Sequence, residues 1–314
     1  MSEALTTVTV FGASGRQGLA QVRRLLAEGY RVRAITRGDA FEGREWFGVQ
    51  VRAADYKDQA SLEKACEGAD AVFYTSVAFS EQSKGLKFAK AVGAAAKAAG
   101  VKRLIFNTSS WVPNSPVGQA GYDGRLAMEN ALEASGVPLV VFRPVLFMDN
   151  LLTGWARPFI VRDGEFVYAQ RPDLQADWIC LDDVAAFMTH ALTRDDLVGQ
   201  RIIIGGPERL TPTIMAQTLS TVLGKPIRYK PITPKEFGEL LYTLFEGKTD
   251  VPRDAYVAHL DDFYQFNNSS QIEPFKADMA AVRKTIDLPL TTFKEWAARQ
   301  EWVMPDLSKG PSGG

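Results

Sequence analysis

Short apolar runs alternate with segments whose apolar residues recur at helical spacing through the first half of the chain. Val8 to Phe11 is an apolar run that stops at Gly12. From Gln17 to Glu28, Leu19, Val22, Leu25 and Leu26 fall on one helical face, and an extended run follows at Arg31 to Thr36. The same alternation continues with a strand at Val49 to Ala53, a helix at Gln59 to Cys66 closed by Gly68, and a strand at Ala71 to Tyr74. An alanine-rich helix at Lys84 to Ala99 ends at Gly100, and a strand at Lys102 to Asn107 follows. A helix carrying Tyr122, Arg125 and Glu129 and a strand at Val137 to Phe142 complete the series. Pro144 is expected to stop regular pairing there. Strands that alternate with helices in this way predict a parallel sheet covered on both sides.

Beyond Asn150 the pattern is less regular. The runs FIV and EFVYA read as two short strands joined by a turn at Arg162 to Glu165, and Gln175 to Leu181 reads as another strand. Asp182 and Asp183 are expected to cap a helix, VAAFMTHAL. Arg201 to Ile204 is a strand expected to return to the main sheet. Thr211 and Pro212 open a helix that runs to Leu223, and Ile227 to Tyr229 is a small strand. Pro234 to Phe245 is amphipathic, and Tyr256 to Phe266 presents an aromatic face suited to a cleft or a lid. A short helix at Phe293 to Trp296 precedes a tail, LSKGPSGG, expected to be disordered.

The chemistry starts at the first turn. Gly12, Gly15 and Gly18 stand at even spacing between a strand and a helix. Gly12 allows a sharp turn, Gly15 lets backbone amides approach a pyrophosphate, and Gly18 lets the helix pack closely. With Ser14, Arg16 and Gln17 they form a candidate phosphate cradle at a helix N-terminus. The fold this implies is α/β, a doubly wound parallel Rossmann sheet with a smaller mixed α/β C-terminal substrate domain. Residues 1–150, with the returning strand at 200–205, make the NAD(P)-binding domain, and residues 151–314 an interleaved, mainly helical substrate domain. Arg37, at the end of the second strand, suits the 2′-phosphate and favours NADP(H) over NAD(H), although Asp39 could approach the ribose. Asp55 is either an adenine acceptor or a turn and cap carboxylate. Thr75, Val77, Asn107 and Phe147 complete the candidate cofactor set.

Bulk composition narrows the classes. In 314 residues the formal net charge is -1, which gives no electrostatic case for nucleic acid. Cys66 and Cys180 are the only cysteines, without the spacing of a staple or a metal site. The strand at Val8 leaves no room for a signal peptide, and no apolar run reaches membrane-spanning length. A cytoplasmic protein with a small-molecule partner is expected, as monomer or homodimer.

Several stretches carry a family resemblance: GASGRQG at Gly12 to Gly18, ITR at Ile35 to Arg37, ADAVF at Ala69 to Phe73, RLAMENAL at Arg125 to Leu132, FRPVLFMDN at Phe142 to Asn150 and WICLDDVA at Trp178 to Ala185. The chain resembles the NmrA-like branch of the atypical short-chain dehydrogenases/reductases, itself similar to the isoflavone reductase-like enzymes. The wider superfamily resemblance implies a tyrosine four places before a lysine, of which the NmrA-like branch often keeps only the lysine. Here Arg125 stands where the lysine would fall, Gly121 precedes it by four, and Tyr122 is one place late. Arginine stays charged and is a poor proton donor, so Tyr122 becomes the candidate acid, Arg125 the ribose and charge contact, and Ser110 or its neighbour Ser109 the substrate orienter. Arg125 and Glu129, four apart, can equally be a surface pair. Trp111, Asn150, Trp155, Trp178 and Tyr256 are candidate substrate contacts and suit an apolar, aromatic guest. Three activities fit: hydride transfer to or from an aromatic, enone or carbonyl compound; redox sensing without turnover; and an epimerase or lyase reaction.

Overall fold

The computed structural model describes residues 7–36, 49–76, 82–245 and 251–304. The chain divides into two units: Met1–Pro144 with Leu181–Ile204 and Ala280–Leu288, and Val145–Cys180 with Gly205–Met279 and Pro289–Gly314.

The first unit is built on a seven-stranded sheet. Its strands are β1 (Thr7–Phe11), β2 (Arg31–Thr36), β3 (Val49–Ala53), β4 (Ala71–Thr75), β5 (Arg103–Asn107), β6 (Leu139–Pro144) and, in chain order after a strand of the second unit, β8 (Arg201–Ile204). They lie in the order β3-β2-β1-β4-β5-β6-β8 with every pairing parallel. The order reverses between β1 and β4, which is the switch point where a doubly wound sheet opens a crevice. The helices of this unit are α1 (Arg16–Ala27), α2 (Gln59–Cys66), α3 (Gln82–Ala98), α4 (Ala120–Glu133) and α5 (Leu181–His190). Buried residues of α2, α3 and α4, among them Leu62, Val92 and Leu132, share one apolar cluster with Phe11, Tyr74, Phe106 and Val141. On the other face α1 packs on α5, and Phe142 meets Phe187 with ring centroids 5.9 Å apart. Each such aliphatic or aromatic side chain contributes about 1.5–3 kcal/mol when buried.

The second unit holds a two-stranded parallel sheet, β7 (Glu165–Tyr168) beside β9 (Arg228–Pro231). Its helices are α6 (Pro212–Leu223), α7 (Pro234–Phe245), α8 (Arg253–Ser269) and α10 (Phe293–Ala298); α9 (Met279–Thr285) begins at the last residue of a second-unit stretch and continues into the first unit. Thr211 caps α6 through Ile214 N, and Pro212 sits in its first turn. The core is aromatic. Trp155 stacks on Tyr168 at 5.1 Å, and Phe237 and Tyr264 meet Tyr168 edge-on.

Four expectations are corrected. Pro144 does not end the pairing early: it is the last residue of β6 and lies opposite Ile204, where a missing N–H costs at most one bond. FIV is not a strand, because Phe159–Asp163 forms a π-helical turn closed by Gly164 at φ 68°, and β7 takes β9 as its partner instead. Gln175 to Cys180 makes only isolated bridges and no ladder, and Leu181 already opens α5. The hydrogen bonds of this segment go to separate places, through Ala176 to Leu210, Asp177 to Phe275, and Ile179 to Leu146. Asp182 and Asp183 lie inside the first turn of α5 rather than ahead of it.

Candidate functional site

The turn from β1 to α1 has the geometry its glycines allow. Gly12 sits at φ 70°, where an L side chain is strained, and its carbonyl accepts from Gly15 N at 3.0 Å. A Cβ on Gly18 would lie 2.2 Å from the Gly12 carbonyl oxygen, so only glycine lets α1 approach the turn this closely. Gly15 is the N-cap and supplies no capping side chain. The first amides of α1 therefore have no side-chain oxygen from their cap. Beside the turn lies a cavity of about 350 Å³, lined by Gly12, Ser14, Gly15, Thr36, Tyr56 and Phe88 among others. The Tyr56 and Phe88 rings stack at 4.7 Å. Neither ring stands out in the sequence: Tyr56 lies in the polar loop after the third strand and Phe88 in the alanine-rich helix.

Asp55, at the mouth of the next loop, is exposed and accepts from Lys57 N at 2.9 Å, while Asp58 caps α2 through Ala60 N and Ser61 N. Arg16 is half-buried. Arg37, Asp39 and Val77 lie outside the described residues. Thr75, at the end of β4, accepts from Gln21 Nε2 at 2.9 Å. At the end of β5, the Asn107 carboxamide joins Gln17 and Ser109: Asn107 Nδ2 donates to Gln17 Oε1 at 2.8 Å, and Gln17 Nε2 to Ser109 Oγ at 2.6 Å. Ser109 has φ 60°, a left-handed non-glycine residue at a strand end. Ser110 is buried, and its carbonyl accepts from Thr108 Oγ1.

Trp111 is buried and meets Tyr122 edge-on at 4.9 Å. Tyr122 is 0% exposed, and its N–H is capped by Gln119 Oε1. Arg125 is also buried. Its Nε donates to Thr108 O at 3.0 Å and its Nη1 to Gly121 O at 2.6 Å. Burial draws its pKa down to about 10, against the opposing effect of Tyr122, and leaves it a cation at neutral pH. The surface pair expected of Arg125 and Glu129 is not formed. Glu129 is 0% exposed and binds Arg143 of β6 through two hydrogen bonds of 2.8 and 2.6 Å, with Arg201 of β8 at 3.0 Å. Arg143 also reaches Asn114 in the loop after β5, at 2.7 Å.

In the second unit, Phe147 is bridged to Ile179, and the Tyr168 hydroxyl shares a hydrogen bond with the Tyr264 hydroxyl at 3.0 Å. Burial lifts Tyr168 to about 12, with Tyr264 and Asn150 opposing. Trp155 belongs to the aromatic core described above. Trp178 is fully enclosed beside Tyr168, at a centroid distance of 6.0 Å. Tyr256 is partly exposed and meets Tyr242 edge-on at 5.7 Å. Among the described residues, no group of three or more His, Cys, Asp or Glu could hold a metal ion, and no helix is long and apolar enough to cross a membrane.

The NmrA-like family matches residues 5–297. The chain belongs to the NmrA-like family. It has the NAD(P)(H)-binding, oxidoreductase-type fold of that family. It is 33% identical over 297 residues to an NAD(P)H azoreductase from Xenophilus azovorans, covering 92% of this chain and 96% of that protein. Two solved structures share the NmrA-like fold. An NADPH-dependent quinone oxidoreductase from Escherichia coli, solved with NADPH, has a TM-score of 0.73 at 24% identity over 93% of this chain and 98% of that one. NmrA, a negative transcriptional regulator solved with NAD, has a TM-score of 0.72 at 18% identity over 95% of each chain.

Proposed function

We propose that the protein is an NADP(H)-dependent oxidoreductase that transfers a hydride to or from a small apolar compound, aromatic or of the enone or carbonyl type. The observation that carries this reading is the uncapped start of α1 at Gly15 beside an aromatic-lined cavity, in a chain one-third identical to an NAD(P)H azoreductase. The amides of the Gly12–Gly18 turn hold the pyrophosphate, and the cavity with Tyr56 and Phe88 takes the adenosine. The dinucleotide supplies the hydride when bound. Arg37, helped by Arg16, selects the 2′-phosphate. Arg125 keeps a positive charge near the end of β5 and the start of α4 and does not move a proton. Tyr122 is the candidate proton donor, a serine at the end of β5 holds the acceptor atom, and Trp111 meets the substrate. This reading keeps the chain near the isoflavone reductase-like branch.

The deciding assay is loss of NADPH absorbance with azo dyes and quinones, repeated with NADH and with Arg37→Glu. Faster consumption of NADPH than NADH is expected, with the preference lost in the variant. Consumption of neither cofactor with any acceptor would overturn the reading.

A second reading, a redox sensor without turnover, draws on Tyr122 being wholly enclosed and Arg125 being held by two backbone carbonyls. It calls for tight binding that differs between oxidised and reduced cofactor, with no acceptor consumed. Acceptor conversion without net cofactor loss would point instead to an epimerase or lyase.

A further inference from the structure

Three hydrogen bonds close a ring between the β1–α1 turn and the end of β5, and a single backbone N–H sets the direction of all three. Ser109 N donates to Asn107 Oδ1 at 2.8 Å. A backbone N–H can only donate, so the oxygen end of the Asn107 carboxamide is fixed. Its nitrogen end must then donate to Gln17 Oε1, at 2.8 Å. That fixes Gln17 in turn, and its Nε2 donates to Ser109 Oγ at 2.6 Å. Ser109 Oγ is thereby an acceptor within the ring, and its own hydrogen is directed away from Gln17 and Asn107. No described residue accepts that hydrogen. Ser109 is also half-buried where Asn107, Thr108, Ser110 and Trp111 are buried, and its φ of 60° turns it out of line with the strand.

We infer that Gln17 is a positioning residue that sets the Ser109 hydroxyl to donate outward, to a carbonyl oxygen or azo nitrogen of the bound acceptor. The inference rests on the hydride-transfer reading and adds a residue to it. Ser109 keeps its proton; it stabilises the negative charge that gathers on the acceptor atom as the neighbouring atom is reduced. The Gln17 side chain touches neither the dinucleotide nor the acceptor in this account. It belongs to the glycine-rich turn, so the same side chain ties the dinucleotide cradle to the reacting end of β5.

Gln17→Glu tests this without removing atoms from the ring. A carboxylate still accepts from Asn107 but has no hydrogen for Ser109, which must turn its own hydrogen inward. The ring and the melting temperature are retained while the outward donor is lost. At neutral pH the expected fall in kcat is on the order of 100-fold at saturating NADPH. Below about pH 4 the introduced carboxyl gains a proton, donates to Ser109 again, and kcat recovers toward wild type. Ser109→Gly, which relieves the left-handed backbone and removes the hydroxyl, should show the same loss without acid recovery. The double variant should lose no more than either single one.

A readout without turnover separates this inference from the reading beneath it. The dissociation constant of 1,4-naphthoquinone, measured by tryptophan fluorescence with NADP⁺ present, should rise about tenfold in Gln17→Glu at neutral pH and return in acid, in proportion to the loss of one hydrogen bond. Wild-type protein that binds the quinone but consumes no NADPH would sink hydride transfer and leave this binding measurement to decide Gln17. Unchanged quinone affinity in Gln17→Glu would overturn the inference. So would a loss that persists in acid, a loss that adds in full to Ser109→Gly, or wild-type protein that binds no quinone.

Discussion

Cys66 sits in an environment far from what its side chain finds in water. It is wholly buried at the end of α2, and burial raises its pKa from 9.0 to about 12, with Glu63 adding and Arg33 opposing. The folded state therefore holds the thiol proton more tightly than the unfolded state does. The stability this contributes is fully present below pH 9 and is lost as pH rises from 9 through about 12. Denaturant unfolding at about pH 8 and 10 should show wild type losing on the order of 1 kcal/mol more than Cys66→Ala across that interval. Parallel pH profiles would remove the assignment. Gly18→Ala is the second test at this scale. The added methyl meets the backbone of Gly12 at 2.2 Å and Ala13 at 2.7 Å, neither of which is a flexible side chain. A loss of about 1–3 kcal/mol is expected by chemical denaturation. Gly18 was legible from its spacing alone, because helix and turn are neighbours in sequence. The fate of Glu129 was not. Its i−4 neighbour Arg125 suggested a surface pair, but the partners that bury it, Arg143 and Arg201, are 14 and 72 residues away.

At the scale of elements, the ends of α2 separate two aspartates that look equivalent in the sequence. Asp58 accepts from Ala60 N and Ser61 N as the N-cap, whereas Asp55 closes a local turn onto Lys57 N. Asp58→Ala should cost about 1 kcal/mol of stability and Asp55→Ala less, measured by urea unfolding. Equal losses would show that the helix start is not held by its cap. Strands β1, β4, β5 and β6 were readable because parallel strands buried on both faces are near-continuous apolar runs, and because Gly68 and Gly100 follow the helices between them. The second-half segments failed for the converse reason. Phe159 to Val161 is apolar and rich in β-branched residues, too short for periodicity to tell strand from helical turn. Gln175 to Cys180 takes its hydrogen bonds from several distant segments, which no local pattern encodes.

At the scale of the molecule, the sheet of the first unit is not finished by the first 144 residues. β8 supplies its seventh strand, paired to β6 from Val141↔Arg201 to Pro144↔Ile204. α5 covers the face over α1 and β6, where Phe187 meets Phe142 and Met188 Sδ lies 3.3 Å from Gln21 Nε2. Arg201 adds a charge to the buried Glu129, and Asp195 pairs with Arg103. A fragment ending at residue 150 would retain the glycine turn and the whole of α1 yet expose the apolar face of β6 and an unpaired edge. Its Glu129 would keep Arg143 and lose Arg201. Such a fragment is expected to aggregate or to unfold without a cooperative transition, and to bind dinucleotide far more weakly than the full chain. Calorimetry with and without NADP⁺ measures both properties on one sample. A sharp, ligand-shifted transition in the fragment would mean that the sheet can close without its returning strand, and that the later chain is needed only for the substrate.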